Sequence, residues 1–466
     1  MDSPKLNAAE LEERLRSFAS NYYLVDIRKD KNFYYALTDE ELKEHPSLIC
    51  GLFMNFAMDG ELDKAKETTL LLQEEDFVRL ALTLVDPKSS LKCFIKTLET
   101  LKKNNTPVKS IVLNAGRPYL LNGFKDFTPF APFLKKHKEL FIENLKWLYE
   151  DAACPAIYNV CLAEWYYQQD KVFDAGIILS RSINEFNRIS ERRLLFVALY
   201  LQTKILLASG KIVNAGSYIK NIRKFVKKQG EMEFSYNIDA SEAMAAFYDG
   251  NHRVVSDWLS HSAPDEFADF NMLDLYRYMV KIRCYIVYEK YNAVVALAAK
   301  IRPLLLEGNR IMDLCELDLL LAICFYRSHE KELAFDSLEC ALKTVKHRKF
   351  YRLVADEGHA ILQLLIDYVK ERGATDFLMK IIGMSRDMAI LYPLYLEAVY
   401  ENDRRFTRME VDVLRLLEQG KSREEIADLF FVSTNTVKFH LKNIYTKLGA
   451  KSAHHAVWKA RVLGII

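Results

Sequence analysis

The chain has 466 residues, of which 50% are hydrophobic and 12% aromatic. This length and apolar content predict a large core and more than one domain. The formal net charge is +2, so the placement of charge along the chain is more informative than its total. The absence of an apolar run of 18 residues argues against a membrane-spanning helix.

Residues 1–44 are predicted to form an N-terminal helical segment, and their first residues lack the basic start of a signal peptide. The sequence has few prolines and glycines, 11 and 16, and no alternating polar and apolar runs bounded by turns. These properties predict an all-α fold.

Residues 45–398 contain a degenerate repeat of about 40 residues. Its turns fall at equal spacing, at Asp170, Gly210, Gly250, Lys290 and Glu330. Each turn is followed four or five residues later by a small or apolar residue, at Ala175, Ala215, Val255, Val295 and Ala334. Stacked helix pairs have this signature, because one pair cannot bury its apolar face without neighbours. The region is therefore predicted to be a tetratricopeptide-like (TPR-like) α-solenoid. Gly123, Pro129 and Pro132 predict an irregular connector within it.

Solenoids present concave surfaces that bind peptides, proteins or small molecules. Trp165 and Tyr166 are candidate ligand residues on the array, because aromatic faces stack on ligands. The alternative is that both belong to the core, since consecutive aromatics on a helix cannot all face one way. The inducer, a small molecule or a protein, is not identified by the sequence.

Residues 399–405 are predicted to be a linker, and residues 406–466 a domain of four helices. Thr407 with Glu410 has the spacing of a capping box, and the first helix should bury Val411, Leu414 and Leu417 before it stops at Gly420.

The second helix of this domain opens with a capping box at Ser422 and Glu425. Ser433 is placed to cap the third helix through the backbone N–H of Thr436. A fourth helix is predicted from about 452 to 462. Two short helices joined by a tight turn, the second one basic, describe a helix-turn-helix.

Residues 431–466 contain six basic residues and no acidic one. Neutralising phosphates with Lys and Arg releases counterions and drives DNA affinity. The outward face of the third helix predicts five base-facing residues, Asn435, Lys438, Phe439, Lys442 and Asn443. Five further residues are predicted to contact phosphates, Thr434, Thr436, His440, Lys447 and Lys451.

Residues 406–466 resemble the LuxR-type, or GerE-type, helix-turn-helix. The family's run of E, VL, G, EIA, L, VS, TVK, H, NIY, KLG and AV is present in order. The resemblance implies that Lys438, Phe439 and Lys442 face the major groove. It also implies that the fourth helix makes a dimer contact on DNA, which we assign to His454, Val457, Trp458 and Arg461. Two positions depart from the family: Phe406 replaces the usual Leu, and Ala453 stands where Arg is frequent.

The array resembles, more weakly, the helical repeat region of maltose-regulator-type LuxR proteins, through the segments LLNGFKDF and YPLYL. This resemblance implies an inducer or partner site on the array. Larger members of that family carry an ATPase module, whereas this sequence has no GxxxxGK[ST] motif, so ATP switching by the chain is not expected.

The sequence predicts no catalytic residues, no metal site and no cofactor. The eight cysteines form no CxxC pair, and the ten histidines show no metal-ligand spacing. Two interpretations remain. The first is a cytoplasmic, bacterial nucleoid-associated regulator that senses with its array and reads double-stranded DNA as a homodimer. The second is a protein-interaction adaptor whose helix-turn-helix end serves mainly dimerisation.

Overall fold

The computed structural model describes residues 7–17, 24–71, 91–104, 118–123, 125–146, 153–189, 192–228, 235–398, 406, 408–430, 432–448, 450–462 and 465–466. All regular elements within these residues are helices, and the one isolated β-bridge joins Asn122 and Asp126. The predicted all-α fold is confirmed. The chain divides into two compact units, one of residues 1–286 and 290–397 and a smaller one of residues 287–289 and 398–466.

The large unit begins with short helices, several of them capped by side chains. Thr38, for example, caps the helix that follows it in a capping box with Glu41. The described helices before the regular array are α1 (Ala8–Ser17), α2 (Leu24–Lys29), α3 (Lys31–Tyr35), α4 (Asp39–Glu44), α5 (Leu48–Asp59), α6 (Leu62–Thr68), α7 (Leu91–Lys103), α8 (Ala131–Leu134) and α9 (Lys138–Leu145).

The array proper consists of helix pairs joined by tight turns. Its helices are α10 (Cys154–Gln168), α11 (Val172–Ile189), α12 (Arg192–Ala208), α13 (Ile212–Lys228), α14 (Ser235–Tyr248), α15 (His252–His261), α16 (Leu275–Val287), α17 (Tyr291–Glu307), α18 (Ile311–Arg327), α19 (Lys331–Arg348), α20 (Tyr351–Ala355), α21 (Gly358–Arg372) and α22 (Asp376–Leu391). Helices that follow each other from α10 to α15 pack against one another, as expected for a solenoid of helix pairs.

The turns inside the helix pairs share a left-handed residue. These residues are Asp170 (φ 66°), Gly210 (φ 72°), Gly250 (φ 63°), Glu289 (φ 55°) and His329 (φ 66°). Five positions after each of them stands a residue with no exposed surface: Ala175, Ala215, Val255, Val294 and Ala334. The sequence interpretation had placed two of these turns at Lys290 and Glu330, one residue late, and had chosen Val295, which is 39% exposed.

The two helices of a pair are buried to different extents. In α18 the buried side chains lie all round the helix, from Met312 to Cys324, which is the pattern of a helix enclosed on every side. In α19 the buried side chains, among them Ala334, Leu338 and Val345, follow one stripe at helical spacing. The first helix of the pair therefore lies inside the array and the second covers it.

The predicted irregular connector includes a strap, described for residues 118–123 and 125–128, that links distant helices of the array. The carboxylate of Glu164 on α10 accepts the backbone N–H groups of Leu120 (2.7 Å) and Leu121 (2.8 Å). At the other end, Arg310 donates to Asn122 Oδ1 (2.8 Å) and to the carbonyl of Gly123 (3.0 Å). Buried polar groups on both sides of the strap are thus paired, as a buried loop requires.

The smaller unit has four helices, α23 (Arg408–Glu418), α24 (Arg423–Phe430), α25 (Thr434–Leu448) and α26 (Ala453–Val462). Its core is a cluster of buried residues, namely Val413, Leu414, Ile426, Ala427, Val437, Leu441, Ile444, Leu448, Ala456 and Ala460. All four predicted helices are present. The predicted linker, 399–405, lies outside the described residues.

Candidate DNA-binding surface

Side-chain caps define the two helices of the helix-turn-helix. The N–H of Glu425 donates to Ser422 Oγ (3.1 Å) and the N–H of Ser422 donates to the Glu425 carboxylate (2.8 Å), so the predicted capping box is confirmed. The hydrogen bond from the Ser422 N–H lowers the pKa of Glu425. The N–H of Thr436 donates to Ser433 Oγ (3.1 Å), so the predicted cap of α25 is also confirmed.

The inward face of α25 fixes which side chains point outward. Val437, Leu441, Ile444 and Leu448 are at most 4% exposed and recur at helical spacing. Their packing holds the opposite face of α25 at the surface. These four side chains form the apolar face of α25.

The inward face of α23 differs from the sequence interpretation. Val413 and Leu414 are fully buried, whereas Val411 and Leu417 are only partly buried. The sequence interpretation began its apolar face at Val411. Leu414, three positions later, fits the helical spacing from Val411, whereas Val413, two positions later, does not, and so Val413 was missed. The predicted partner of Glu410 in a capping box, Thr407, lies outside the described residues.

The five predicted base-facing residues lie along the outer side of α25. Asn435, Lys438 and Lys442 are exposed, and Asn443 is half-buried. Phe439 is 62% exposed, which is unusual for a large apolar side chain in a small domain. Its ring lies 5.9 Å from that of His440. The surface therefore offers ammonium groups, amides and an aromatic ring on one side of one helix.

The residues predicted to contact phosphates have different environments. Thr434 and Lys451 are exposed, and His440 is half-buried. The Thr436 hydroxyl lies 2.9 Å from that of Ser433, at the beginning of α25. The N-terminus of a helix favours anions, so the Ser433–Thr436 end of α25 is chemically suited to a phosphate.

Lys447 has an internal partner that sequence reasoning missed. Its Nζ lies 2.7 Å and 3.0 Å from the two carboxylate oxygens of Glu410, and the side chain is 18% exposed. It also lies 5.7 Å from the centre of the Phe406 ring. Glu410 and Lys447 are 37 positions apart, and no local sequence pattern links residues at that distance, so the ion pair could not be predicted from the sequence.

The candidate dimer helix, α26, has one buried and one exposed side. Ala456 and Ala460 are fully buried, while Trp458 is 56% exposed and Val457 is half-buried. His454 and Arg461 are exposed, and Arg461 Nε lies 2.5 Å from Glu418 Oε1. The outer side of α26 thus carries an exposed aromatic residue, as a contact with a second molecule would require.

The two candidate ligand residues of the array occupy different positions. Trp165 is 8% exposed and lines a cavity of about 370 Å³ together with Glu164 and Lys204. Tyr166 is half-buried, with Lys171 Nζ 5.1 Å from its ring centre. A larger cavity is lined by the next residue, Tyr167, and by charged residues that sequence reasoning did not single out.

Within the part of the chain that the structure describes, no group of three or more His, Cys, Asp or Glu residues is arranged to hold a metal ion. Nor does any helix there have the length and apolar character needed to cross a membrane.

This geometry is that of a helix-turn-helix domain, and comparison with known proteins gives its class. Residues 404–460 match the family model of bacterial regulatory proteins of the luxR family, GerE. The C-terminal domain is therefore a LuxR-type helix-turn-helix domain, as the sequence predicted.

A curated relative supports the same class. The transcriptional activator protein PhzR of Pseudomonas fluorescens is 42% identical over 67 residues. These residues are 14% of this chain and span 28% of the length of that relative. The aligned segment thus has the length of one small domain, and the chain spans less than a third of that relative.

Among solved structures, the chain is similar to a Rap protein in complex with competence and sporulation factor. The TM-score is 0.41 at 14% sequence identity, over 75% of this chain and 99% of the other.

Proposed function

We propose that this protein is a sequence-specific DNA-binding transcriptional regulator. The observation that carries the proposal is the outer side of α25, where Lys438, Phe439 and Lys442 are exposed together in a domain of the LuxR type. Residues 431–466 contain no acidic residue that would repel a phosphate backbone. The relative PhzR, named as a transcriptional activator, is in line with this proposal.

In the proposed complex α25 lies in the major groove. The ammonium groups of Lys438 and Lys442 reach guanine O6 and N7, and the Phe439 ring packs on a thymine methyl group. Asn435 and Asn443 supply amides for adenine. The hydroxyls of Thr434 and Thr436, with His440 and Lys451, orient the domain on the phosphates without reading sequence.

The protein is proposed to bind DNA as a homodimer through α26. The exposed Trp458, with His454, Val457 and Arg461, would meet the same helix of a second copy. A symmetric contact of this kind pairs two recognition helices with two half-sites.

The array is proposed to sense an inducer, a small molecule or a protein, and the chain to work in the cytoplasm on the bacterial nucleoid. A solenoid offers the enclosed surface that such a sensor needs. No catalytic step is assigned to the chain.

The test is a selection of genomic fragments by the purified full-length protein, run beside the Lys438→Ala/Lys442→Ala double variant. We expect a recurrent sequence motif with the wild type and its loss in the variant, because each base contact is worth about 1–3 kcal/mol of discrimination. Arg415→Ala is a control for the loss of exposed positive charge outside α25: it removes one such charge from α23, where the double variant removes two from α25.

Three outcomes separate the alternatives. A motif that survives in the double variant would show that α25 does not read bases. Enrichment by residues 400–466 alone, but not by the full chain, would show that the array masks the domain. Enrichment by neither would favour the adaptor interpretation.

A further inference from the structure

The inner face of the array has a cavity that opens to solvent, with about 670 Å³ of space when the solvent at its mouth is included. Helices α10, α12, α14, α16 and α18 each contribute residues to its lining. The nature of the lining side chains indicates which class of molecule would fit.

Aromatic rings form one part of the lining. The ring of Tyr200 stands nearly perpendicular to that of Tyr119, at 81° and 5.6 Å, and to that of Tyr276, at 84° and 5.7 Å. The hydroxyls of Tyr200 and Tyr276 lie 3.0 Å apart, and the latter donates to Ser241 Oγ (3.4 Å). These contacts hold the three tyrosine rings in fixed planes around one corner of the cavity.

The cavity wall already binds an ammonium group of the protein itself. Lys204 Nζ lies 5.0 Å from the ring centre of Tyr167 and 5.7 Å from that of Tyr119. It also forms an ion pair of 3.2 Å with Asp356. Positive charge over an aromatic face is stabilised by the ring quadrupole, and more strongly where water is excluded.

The charged residues of the lining have an excess of carboxylates. Arg283 is shared between two of them, with Nη1 2.8 Å from Glu316 and Nη2 in contact with Glu357. Among the described lining residues the carboxylates, Glu316, Asp356 and Glu357, outnumber the cations, Lys204 and Arg283. Arg352 forms an ion pair with Asp356 and a second ion pair with Asp170. With Asp170 and Arg352 included, four carboxylates share three cations, which leaves an excess of one negative charge.

Of the two carboxylates that share Arg283, Glu316 is the one that a ligand can reach. Its side chain is 19% exposed, against 3% for Glu357. Burial raises the pKa of Glu357, and the nearby charge of Glu316 adds to the rise. The region thus disfavours further negative charge and favours an added cation.

We propose that this cavity binds a small organic cation, with its ammonium group beside Glu316 and its carbon substituents against the rings of Tyr119, Tyr200 and Tyr276. Aromatic rings with a nearby carboxylate are the chemistry that recognises organic ammonium groups. The inference deepens the sensing role proposed above and rests on it only for the consequence of binding. The binding itself is tested separately from DNA recognition.

The experiment is calorimetric titration of the full-length protein with three probes: choline, its uncharged carbon isostere 3,3-dimethylbutan-1-ol, and acetate. We expect saturable binding of choline, at least about tenfold weaker binding of the isostere, and none of acetate. Equal binding of the isostere, binding of acetate, or no saturation by choline up to about 10 mM would overturn the proposal.

Variants then place the site. Glu316→Gln removes the charge while leaving Arg283 paired with Glu357, and we expect it to weaken choline binding at least about tenfold. Glu307→Gln makes the same change at an exposed position and should leave binding unaltered. Tyr200→Phe, which keeps the ring, should retain binding, whereas Tyr200→Leu should lose it. Undiminished binding by Glu316→Gln with an unchanged melting curve would place the cation elsewhere.

Failure here and failure of the proposed function are distinguishable. The DNA selection with Lys438→Ala/Lys442→Ala requires no ligand, and the titrations require no DNA. A protein that selects a motif but binds no organic cation would retain the regulator proposal and exclude this ligand class.

Discussion

Lys447 and Glu410 form an ion pair that ties the third helix of the small domain to the first. Lys447 Nζ lies 2.7 Å from Oε2 of Glu410, and Glu410 is only 2% exposed. A buried carboxylate without a cation is strongly destabilising, so Lys447 neutralises a charge that the core would otherwise not tolerate. The role of Lys447 is therefore first of all the packing of α23 against α25.

Lys447→Met should accordingly lower the stability of the domain, by about 1–3 kcal/mol, because it leaves the buried Glu410 carboxylate without this cation. It should leave the slope of log K against log salt for DNA binding unchanged, since its charge is already neutralised. Lys451→Ala, at an exposed position, should flatten that slope by about one unit. Denaturation and salt-dependent DNA titrations of both variants measure these effects. If Lys447→Met flattened the slope by the same amount, Lys447 would contact a DNA phosphate, as the sequence predicted.

Ser433 allows the stability of α25 to be separated from its contact with DNA. Its Oγ accepts the N–H of Thr436 (3.1 Å), and Asp and Asn cap helices as well as Ser does. Ser433→Asp should therefore keep the stability within about 0.5 kcal/mol but weaken DNA binding, because it adds a negative charge beside the phosphates.

Ser433→Asn is the control for this substitution, since it preserves the cap and adds no charge. Its stability and its DNA affinity should both match those of the wild type in melting curves and DNA titrations. If Ser433→Asp bound DNA as tightly as Ser433→Asn, the N-terminus of α25 would not lie at the phosphate backbone.

The proposed dimer contact is tested best by a point substitution. Truncation before α26 would remove Ala456 and Ala460 from the core, and so would unfold the domain. Trp458 is 56% exposed, so Trp458→Ser should change stability by less than about 0.5 kcal/mol. It should nevertheless reduce cooperative binding to DNA that carries two half-sites, measured against a single half-site.

Leu429→Ser is the matched control for Trp458→Ser, because Leu429 is 52% exposed on a different helix of the same domain. Its cooperativity should equal that of the wild type. Unchanged cooperativity in Trp458→Ser would mean that the dimer contact does not involve this side chain.

The repeats show how far sequence reasoning reached and where it stopped. Small or apolar residues four or five positions after a turn indicated the helix pairs, because close packing at that point admits only small or well-fitted side chains. The assumption of a constant 40-residue interval then placed two turns one residue late. The interval from Gly250 to Glu289 is one residue shorter, and Val294, not Val295, is buried.

The cavity of the array could not be predicted in the same way. Local rules of capping and periodicity define single helices, and they predicted the caps at Ser422 and Ser433 correctly. The pairing of Tyr167 with Asp356, at 2.9 Å, joins residues 189 positions apart and depends on how the whole array curves. No local pattern marks such a pair.

The strap provides a prediction about pH, through Glu164. Burial raises the pKa of this carboxyl from its ordinary value of 4.5 to about 7, against the lowering effect of the N–H groups of Leu121 and Leu120. Between these two pH values the folded protein holds a proton at Glu164 that the unfolded chain has released. The contribution of Glu164 to the free energy of unfolding therefore falls as the pH rises from 4.5 to about 7, and it is constant above pH 7.

Glu164→Gln is neutral at every pH and lacks this contribution. From pH 5 to pH 8 the free energy of unfolding of the wild type should fall, relative to Glu164→Gln, by roughly 2–3 kcal/mol. Urea denaturation of both proteins across this range measures the difference, in which the other titrating groups cancel. Parallel pH profiles would show that Glu164 is already ionised in the folded protein at pH 5. The two N–H groups of the strap would then outweigh the cost of burial.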